Sequence, residues 1–359
     1  MPKPFIIPLF LPNAGCPHQC AFCNQRTITN TKEKKFPPEK IPPLIDEYIA
    51  HKGKNRDRVQ VAFYGGNFLG LEKGYIESLL EETEKYVESG VIHSIRFSTR
   101  PDTINNAQLD IIDKFSVKTV EVGVQSMNDK VLAMSQRGHT SYDTQKALAL
   151  LKERGYETGA QIMTGLPNDN EKTALLTAQS IVALKPDFAR IYPTVVLADS
   201  TLARWYKNGT YSPLSLNDCV TLAKKIYLKF SENSIPVIRM GLQAADYLKE
   251  GTSILAGPYH PSFGHMVFSE IFLDMAVSAL KNGFELQSSS LSTSLNTAAI
   301  KVHPSCISKV RGIKNKNIKI IKEKFQIKDL KIIPDPTVKP DRLIVDLNGK
   351  SGLKPLKKL

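Results

Sequence analysis

Between Phe5 and Phe188 the sequence alternates short apolar runs with longer amphipathic stretches. The apolar runs begin near Phe5, Val59, Ser94, Lys118, Glu157 and Phe188, and a further strand is expected near Ile235. Helical periodicity fills Lys73–Glu88, Asn106–Phe115, Ser141–Gly155, Asn170–Leu184 and Leu216–Asn233. Strand–helix alternation of this kind builds parallel βα units. Six or more units within about 240 residues suit a closed or nearly closed barrel better than an open doubly wound sheet. The expected fold class is therefore α/β, a complete or partial TIM-like βα barrel. Chemistry in such barrels sits on the loops that follow the strand C-termini.

The loop after the first strand carries three of the chain's five cysteines, in Cys16-Pro17-His18-Gln19-Cys20-Ala21-Phe22-Cys23. A crowded odd set is a poor disulfide framework and suits a metal or cluster. Zinc is one alternative, with His18 as a fourth ligand, but structural zinc sites draw their ligands from two separated pairs. The remaining cysteines, Cys219 and Cys306, have no local partners and are expected to be dispensable small apolar side chains. Three thiolates suit a 4Fe-4S cluster that leaves one iron open to a small molecule.

The C-x3-C-x2-C spacing, with aromatic Phe22 before the last cysteine, resembles the signature of the radical S-adenosylmethionine (SAM) superfamily. The resemblance implies a 4Fe-4S cluster on Cys16, Cys20 and Cys23, whose open iron chelates SAM. It also implies reductive cleavage of SAM to methionine and a 5′-deoxyadenosyl radical that abstracts hydrogen from a substrate. An electron donor such as flavodoxin or ferredoxin is then a partner. The competing class is a non-catalytic iron–sulfur scaffold.

Further residues fall in order at successive strand ends. The second strand leads into Gly65-Gly66-Asn67, which is similar to the family's glycine motif for the SAM amino group; Asn67 stands where Glu or Thr is common. Arg100 and Asp102 follow the third strand, and a salt bridge closing the loop is their plain reading. Glu121, a charge inside an apolar strand, needs a buried partner: either SAM or an internal arginine. The fifth strand offers Gln161 and Met163, in the region that packs on adenine in similar enzymes. With Phe22, Gly65, Gly66, Asn67 and Glu121 these complete the expected SAM-binding set.

Gly123-Val124-Gln125-Ser126, Arg137-Gly138-His139-Thr140 and Arg190-Ile191-Tyr192-Pro193-Thr194 resemble the radical SAM domain of the Elongator catalytic subunit and its bacterial relatives. The first two patterns also occur in coproporphyrinogen dehydrogenase relatives. The 86 residues after Leu273 are too few for the acetyltransferase domain of Elongator, so wobble-uridine carboxymethylation is not carried over. Cys219 and Cys306 cannot supply the second cluster of a methylthiotransferase.

Charge separates the ends of the chain. Residues 301–359 hold 16 Lys and Arg against 5 Asp and Glu, a surplus of 11 in a chain whose net charge is +13. Such a tail suits a polyanion. The expected domains are a core over 1–287, then, past a Ser/Thr-rich stretch, a small basic α+β C-terminal module over 288–359. In that module Thr297–His303 and Leu343–Asp346 read as strands and Asn315–Phe325 as a helix, and the loop from Arg311 to Asn317 could meet a phosphate. RNA, tRNA in the first place, is the leading partner for the module; a lid over the barrel is the plain alternative, with a small-molecule or tetrapyrrole substrate. No apolar run of about 18 residues is read and no signal peptide, so a cytoplasmic protein without a membrane partner is expected.

Overall fold

The computed structural model describes residues 4–11, 14–24, 35–52, 58–243, 250–287 and 297–347. The chain divides into two compact units, residues 1–219 with 229–260, and residues 220–228 with 261–359.

The first unit is built on a seven-stranded sheet. Its strands are β1 (Phe5–Phe10), β2 (Val59–Tyr64), β3 (Ser94–Thr99), β4 (Val117–Gln125), β5 (Glu157–Thr164), β6 (Phe188–Pro193) and β8 (Val237–Met240), hydrogen-bonded in that order. Every neighbouring pair is parallel. β1 and β8 are the two edges, so the sheet is a curled, partial βα barrel. A two-stranded ribbon of β7 (Val196–Leu197) and β9 (Ile254–Ala256) stands beside it.

Side chains alternate across each strand. Val61, Phe63, Ile95, Phe97, Val120, Val122, Ala160, Ile162, Ala189 and Ile191 are buried on the helix-facing side. The opposite face is polar: Gln60, Arg96, Glu121, Gln161 and Arg190 occupy the positions between them. This two-sided pattern separates the core from the face that can meet a ligand.

Helices start where polar caps allow. Thr140 and Asp143 form a capping box at the head of helix Ser141–Glu153, which satisfies two free backbone N–H groups. Asn170 and Thr173 do the same for helix Glu171–Leu184. Helix Lys73–Glu88 has the expected bounds, and the other expected helices and strands differ by a few residues at their ends. Helix Ile41–Ala50 is an addition. Its Pro42 and Pro43 sit in the first turn, where the missing N–H costs nothing.

The second unit contains a three-stranded sheet in the order β11 (Asp329–Pro334), β10 (Thr297–Val302), β12 (Leu343–Leu347). β10 pairs parallel with β11 and antiparallel with β12. β11 was not read from the sequence, because its short Leu330 and Ile332 alternation is masked by Asp329 and Lys331. Helix Lys316–Phe325 is present as expected. Asn317, just inside it, is buried and donates to the Ser269 carbonyl at 2.8 Å.

The 25-residue helix Phe263–Gln287 was also unread; it is apolar on most sides and has no clean stripe. Its stretch Phe263–Asn282 is long and apolar enough to cross a membrane by length and composition, which corrects the expectation that no such run exists. Within its unit, however, Lys224 pairs with Asp274 at 2.7 Å and Glu270 at 3.3 Å, as in a packed core helix.

Candidate functional site

The cysteine loop leaves β1 and is braced by the loop after β2. The Asn67 N–H donates to the Ala14 carbonyl at 2.8 Å, and Asn67 Nδ2 donates to the Gly15 carbonyl at 2.8 Å. Asn67 Oδ1 accepts from Thr99 Oγ1, the Arg100 N–H and Thr103 Oγ1 at 2.7, 2.9 and 2.8 Å. The side chain is fully buried and spent on protein partners. It braces the cysteine loop against the loop after β3.

Gly66 explains itself by close approach. A Cβ there would lie 2.5 Å from the Leu11 carbonyl oxygen and 2.6 Å from that of Ala14. Gly65 supplies a positive φ of 90°, a conformation that glycine enters freely. Together they let two backbones touch, and the touching backbone is the one that carries the cysteines.

Cys20 is buried, while Cys16 and Cys23 are partly exposed. Two guanidinium groups approach the Cys20 sulfur: Arg137 Nη1 at 3.2 Å and Arg100 Nη1 at 3.9 Å. Arg100 is already neutralised by a two-pronged bond to Asp102, the salt bridge expected from the sequence. Arg137 has no carboxylate among the described residues. Its Nη2 donates to the Gly123 carbonyl at 2.8 Å, and its buried Nε has no partner. A buried cation without an anion is costly, and the nearest candidate anion is a cysteine thiolate. Burial pushes the Cys16 thiol up, against the pull of Arg137 and Arg100.

The Arg137-Gly138-His139-Thr140 motif gains separate tasks for its residues. Gly138, at φ 77°, lies under the His18 ring, whose Cδ2 would be 2.3 Å from a Cβ there. His139 Nε2 lies 3.2 Å from the Val124 carbonyl. A carbonyl only accepts, so Nε2 carries the proton. Burial, Arg137 and Arg100 push the His139 pKa down to about 3, so the ring is neutral, and its buried Nδ1 has no partner. Thr140 caps the next helix. The pattern was visible in the sequence, but nothing there said that it meets Cys20, 117 positions away.

Phe22 turns from the loop onto a buried cluster of Val196, Leu202, Ala203 and Tyr211. The Ala21 carbonyl accepts from the Leu202 N–H at 2.7 Å, and the Ala21 N–H donates to the Ser135 carbonyl at 2.9 Å. The cysteine loop is thus tied to β2, to the loop after β4 and to the segment after β7.

A second polar group fills the middle of the sheet's concave face. Glu121 is fully buried. Its Oε1 accepts from Arg96, Arg190 and Tyr64 at 2.8, 2.9 and 3.0 Å. Its Oε2 lies 2.6 Å from Arg190 Nε and accepts from Gln161 Nε2 at 2.8 Å. Burial alone would raise its pKa; Arg190 and Arg96 outweigh that and hold it below the usual carboxylate value. Of the two partners open in the sequence, SAM or an internal arginine, the structure supplies the arginine twice. Gln161 hangs on the same carboxylate. Met163, two residues on, pairs in register with Tyr192 and is partly exposed.

The structure therefore separates the expected set in two. Cys16, Cys20, Phe22, Cys23, Gly65, Gly66 and Asn67 belong to the cysteine loop and its brace. Glu121, Gln161 and Met163 belong to the concave face of β4 and β5. Cys219 and Cys306 lie elsewhere: Cys219 is 3.3 Å from Thr164 Oγ1, and Cys306 donates to the Pro340 carbonyl at 3.1 Å.

A partial parallel barrel with a cysteine-rich loop after its first strand defines a class of enzyme, and sequence comparison agrees. The radical SAM superfamily model matches residues 10–181, and the radical SAM C-terminal domain model matches residues 186–272. The chain belongs to the radical SAM superfamily, whose members are enzymes and whose cofactors are a 4Fe-4S cluster and SAM. It is 25% identical over 276 residues to the tRNA uridine(34) acetyltransferase of Dehalococcoides mccartyi, covering 66% of this chain and 60% of that protein. It is 27% identical over 201 residues to Elongator complex protein 3 of Saccharomyces cerevisiae, covering 50% and 36%. The archaeal Elp3 of Methanocaldococcus infernus superposes with a TM-score of 0.57 at 20% identity, over 74% of this chain and 62% of that one. The match thus spans less than two thirds of each of these relatives.

Among the described residues no three His, Cys, Asp or Glu side chains converge as a metal site, but the chemistry of the cysteine loop suits a cluster. Three thiols lie within eight positions, and an uncompensated buried guanidinium stands against one of them.

Proposed function

We propose that the chain is a radical SAM enzyme of RNA modification, with a tRNA base as its substrate. In this reading Cys16, Cys20 and Cys23 hold one 4Fe-4S cluster. The observation that carries it is Arg137, a buried guanidinium 3.2 Å from Cys20 Sγ with no carboxylate partner among the described residues. A thiolate ligand of a cluster supplies the missing negative charge.

When bound, the cluster supplies the electron that cleaves SAM to methionine and a 5′-deoxyadenosyl radical. The chain's residues prepare that site. Asn67 and Gly66 fix the cysteine loop against β2. Gly65 exposes backbone for the SAM amino group, and Phe22, Gln161 and Met163 flank the nucleoside. Glu121 holds Gln161 and Arg190 in place. A flavodoxin or ferredoxin delivers the electron.

Two features support tRNA. The relatives above are named for tRNA uridine acetylation and for Elongator. The second unit exposes Lys314, Lys316, Lys319, Lys324, Lys328 and Lys331, a surface whose charge suits a phosphate backbone. The test is tRNA affinity of the full-length protein against salt. Affinity should fall steeply from 50 to 200 mM salt, as counterion release requires. No salt-dependent affinity would overturn the tRNA reading in favour of a small-molecule or tetrapyrrole substrate. Nucleosides of bulk tRNA from a deletion strain should lack one modification present in the parent.

A further inference from the structure

The concave face of the sheet carries more positive charge than its one buried carboxylate can balance. Among the described residues Glu121 is the carboxylate that Arg96 and Arg190 meet, and Arg239 pairs with none; Glu157, at the opposite end of β5, bonds Thr119. Two of the arginines are spent. Arg96 donates to Glu121 and to Gln60 Oε1 at 3.1 Å. Arg190 grips both oxygens of Glu121 and reaches Tyr64 Oη at 3.1 Å and Tyr192 Oη at 3.4 Å.

Arg239 differs. It is the register partner of Arg190 across β6 and β8, so the two side chains share a face. It is partly exposed. Its Nε donates to the Gly241 carbonyl at 3.3 Å, which leaves the Nη1/Nη2 fork without a protein acceptor among the described residues. A planar fork with two free donors matches the two oxygens of a carboxylate or phosphate.

We propose that Arg239 is the anchor of an anion site on the concave face, and that it takes a carboxylate or phosphate group of the substrate. Arg190 and Tyr192 lie beside it and add positive potential and a hydroxyl. The site rests on the proposed function in one respect, that this face is where the substrate lies. It occupies the sheet edge formed by β8, whereas the cysteine loop follows β1 at the other edge.

Phenylglyoxal modification of the full-length protein, read by peptide mass spectrometry, tests this. Arg239 should react, while Arg96 and Arg190, held on Glu121, should not. Inorganic phosphate should slow the Arg239 reaction at least about tenfold, and potassium chloride at equal ionic strength should not. Parallel arms with succinate and with a short uridine-containing RNA identify the source: protection by RNA at far lower concentration marks a backbone phosphate, protection by succinate or free phosphate alone a small-molecule anion. No protection by any of them, or equal protection by chloride, overturns the proposal. In Arg239→Lys the charge remains but the fork is lost, so phosphate affinity in calorimetry should fall about tenfold; unchanged affinity also overturns it. Failure of the wild-type protein to cleave SAM would instead count against the proposed function and leave these readings intact.

Discussion

Arg137 donates to the sulfur of Cys20 at 3.2 Å from a position 117 residues along the chain, and it does so without a carboxylate partner. The cation therefore depends on that sulfur carrying charge. Replacing Arg137 with Gln removes a positive charge beside a ligand and so disfavours the more negative, reduced state. The cluster potential should become more negative by on the order of 50 mV, at unchanged iron content. An electron paramagnetic resonance redox titration measures this; an unchanged potential would place Arg137 outside the cluster's field.

Gly66→Ala should displace the cysteine loop, because its new methyl would meet two backbone carbonyls at 2.5 and 2.6 Å. Iron uptake on anaerobic reconstitution should drop several-fold. Gly90→Ala is the control: it has φ 75° but nothing within 4 Å of a Cβ. It should lose roughly 1 kcal/mol of stability and keep its iron.

Asn67→Ala should destabilise the fold by about 2–4 kcal/mol in urea unfolding. It leaves the buried Thr99 hydroxyl and the Arg100 N–H without their Asn67 Oδ1 acceptor, while the half-buried Thr103 hydroxyl keeps the Arg100 carbonyl at 3.0 Å, and an unsatisfied buried donor costs about 1–3 kcal/mol. A loss under 1 kcal/mol would mean that water or a rearranged neighbour replaces the amide.

Much of this arrangement was legible in advance, and the reason is periodicity. The strands at Phe5, Val59, Ser94, Glu157 and Phe188 show their apolar side because helices cover it. The Cys16–Cys23 spacing is local, so it could be read without a fold. What was not legible is contact between distant segments. Arg137 meets Cys20 and Asn67 meets Gly15 only after the sheet curls, and no short pattern encodes such a meeting. Glu121 is the intermediate case. Its burial in an apolar strand demanded a partner, but the choice between a ligand and Arg96 with Arg190 needed the register of β3, β4 and β6. Helix Phe263–Gln287 went unread because its apolar residues run nearly all round it.

Glu121 also sets a pH dependence. Its folded pKa lies below its unfolded value of about 4.5. The stability it confers is therefore complete above that value and is lost as pH falls through the lower, folded pKa. Glu121→Gln should cost about 3–5 kcal/mol at pH 7, since it leaves Arg96 and Arg190 buried against a neutral amide. The difference from wild type should shrink on acidification below about pH 4, as the wild-type carboxylate itself protonates. A pH-independent difference in unfolding free energy would contradict this account.

Cys219→Ser should keep its iron and its SAM cleavage. Burial pushes the Cys219 thiol up to about 11, so below pH 9 it stays a thiol and should resist iodoacetamide in the folded protein. Rapid native alkylation, or loss of SAM cleavage at full iron content, would make it part of the site.

The central claim is that Cys16, Cys20 and Cys23 hold a SAM-cleaving cluster. Its most direct test is 5′-deoxyadenosine formed by anaerobically reconstituted protein with dithionite and SAM, together with iron content. The wild-type chain should bind about four irons and release 5′-deoxyadenosine. Cys→Ala at any of the three positions should lose both. Zinc without iron, or a fully loaded cluster that never yields 5′-deoxyadenosine, would contradict the account.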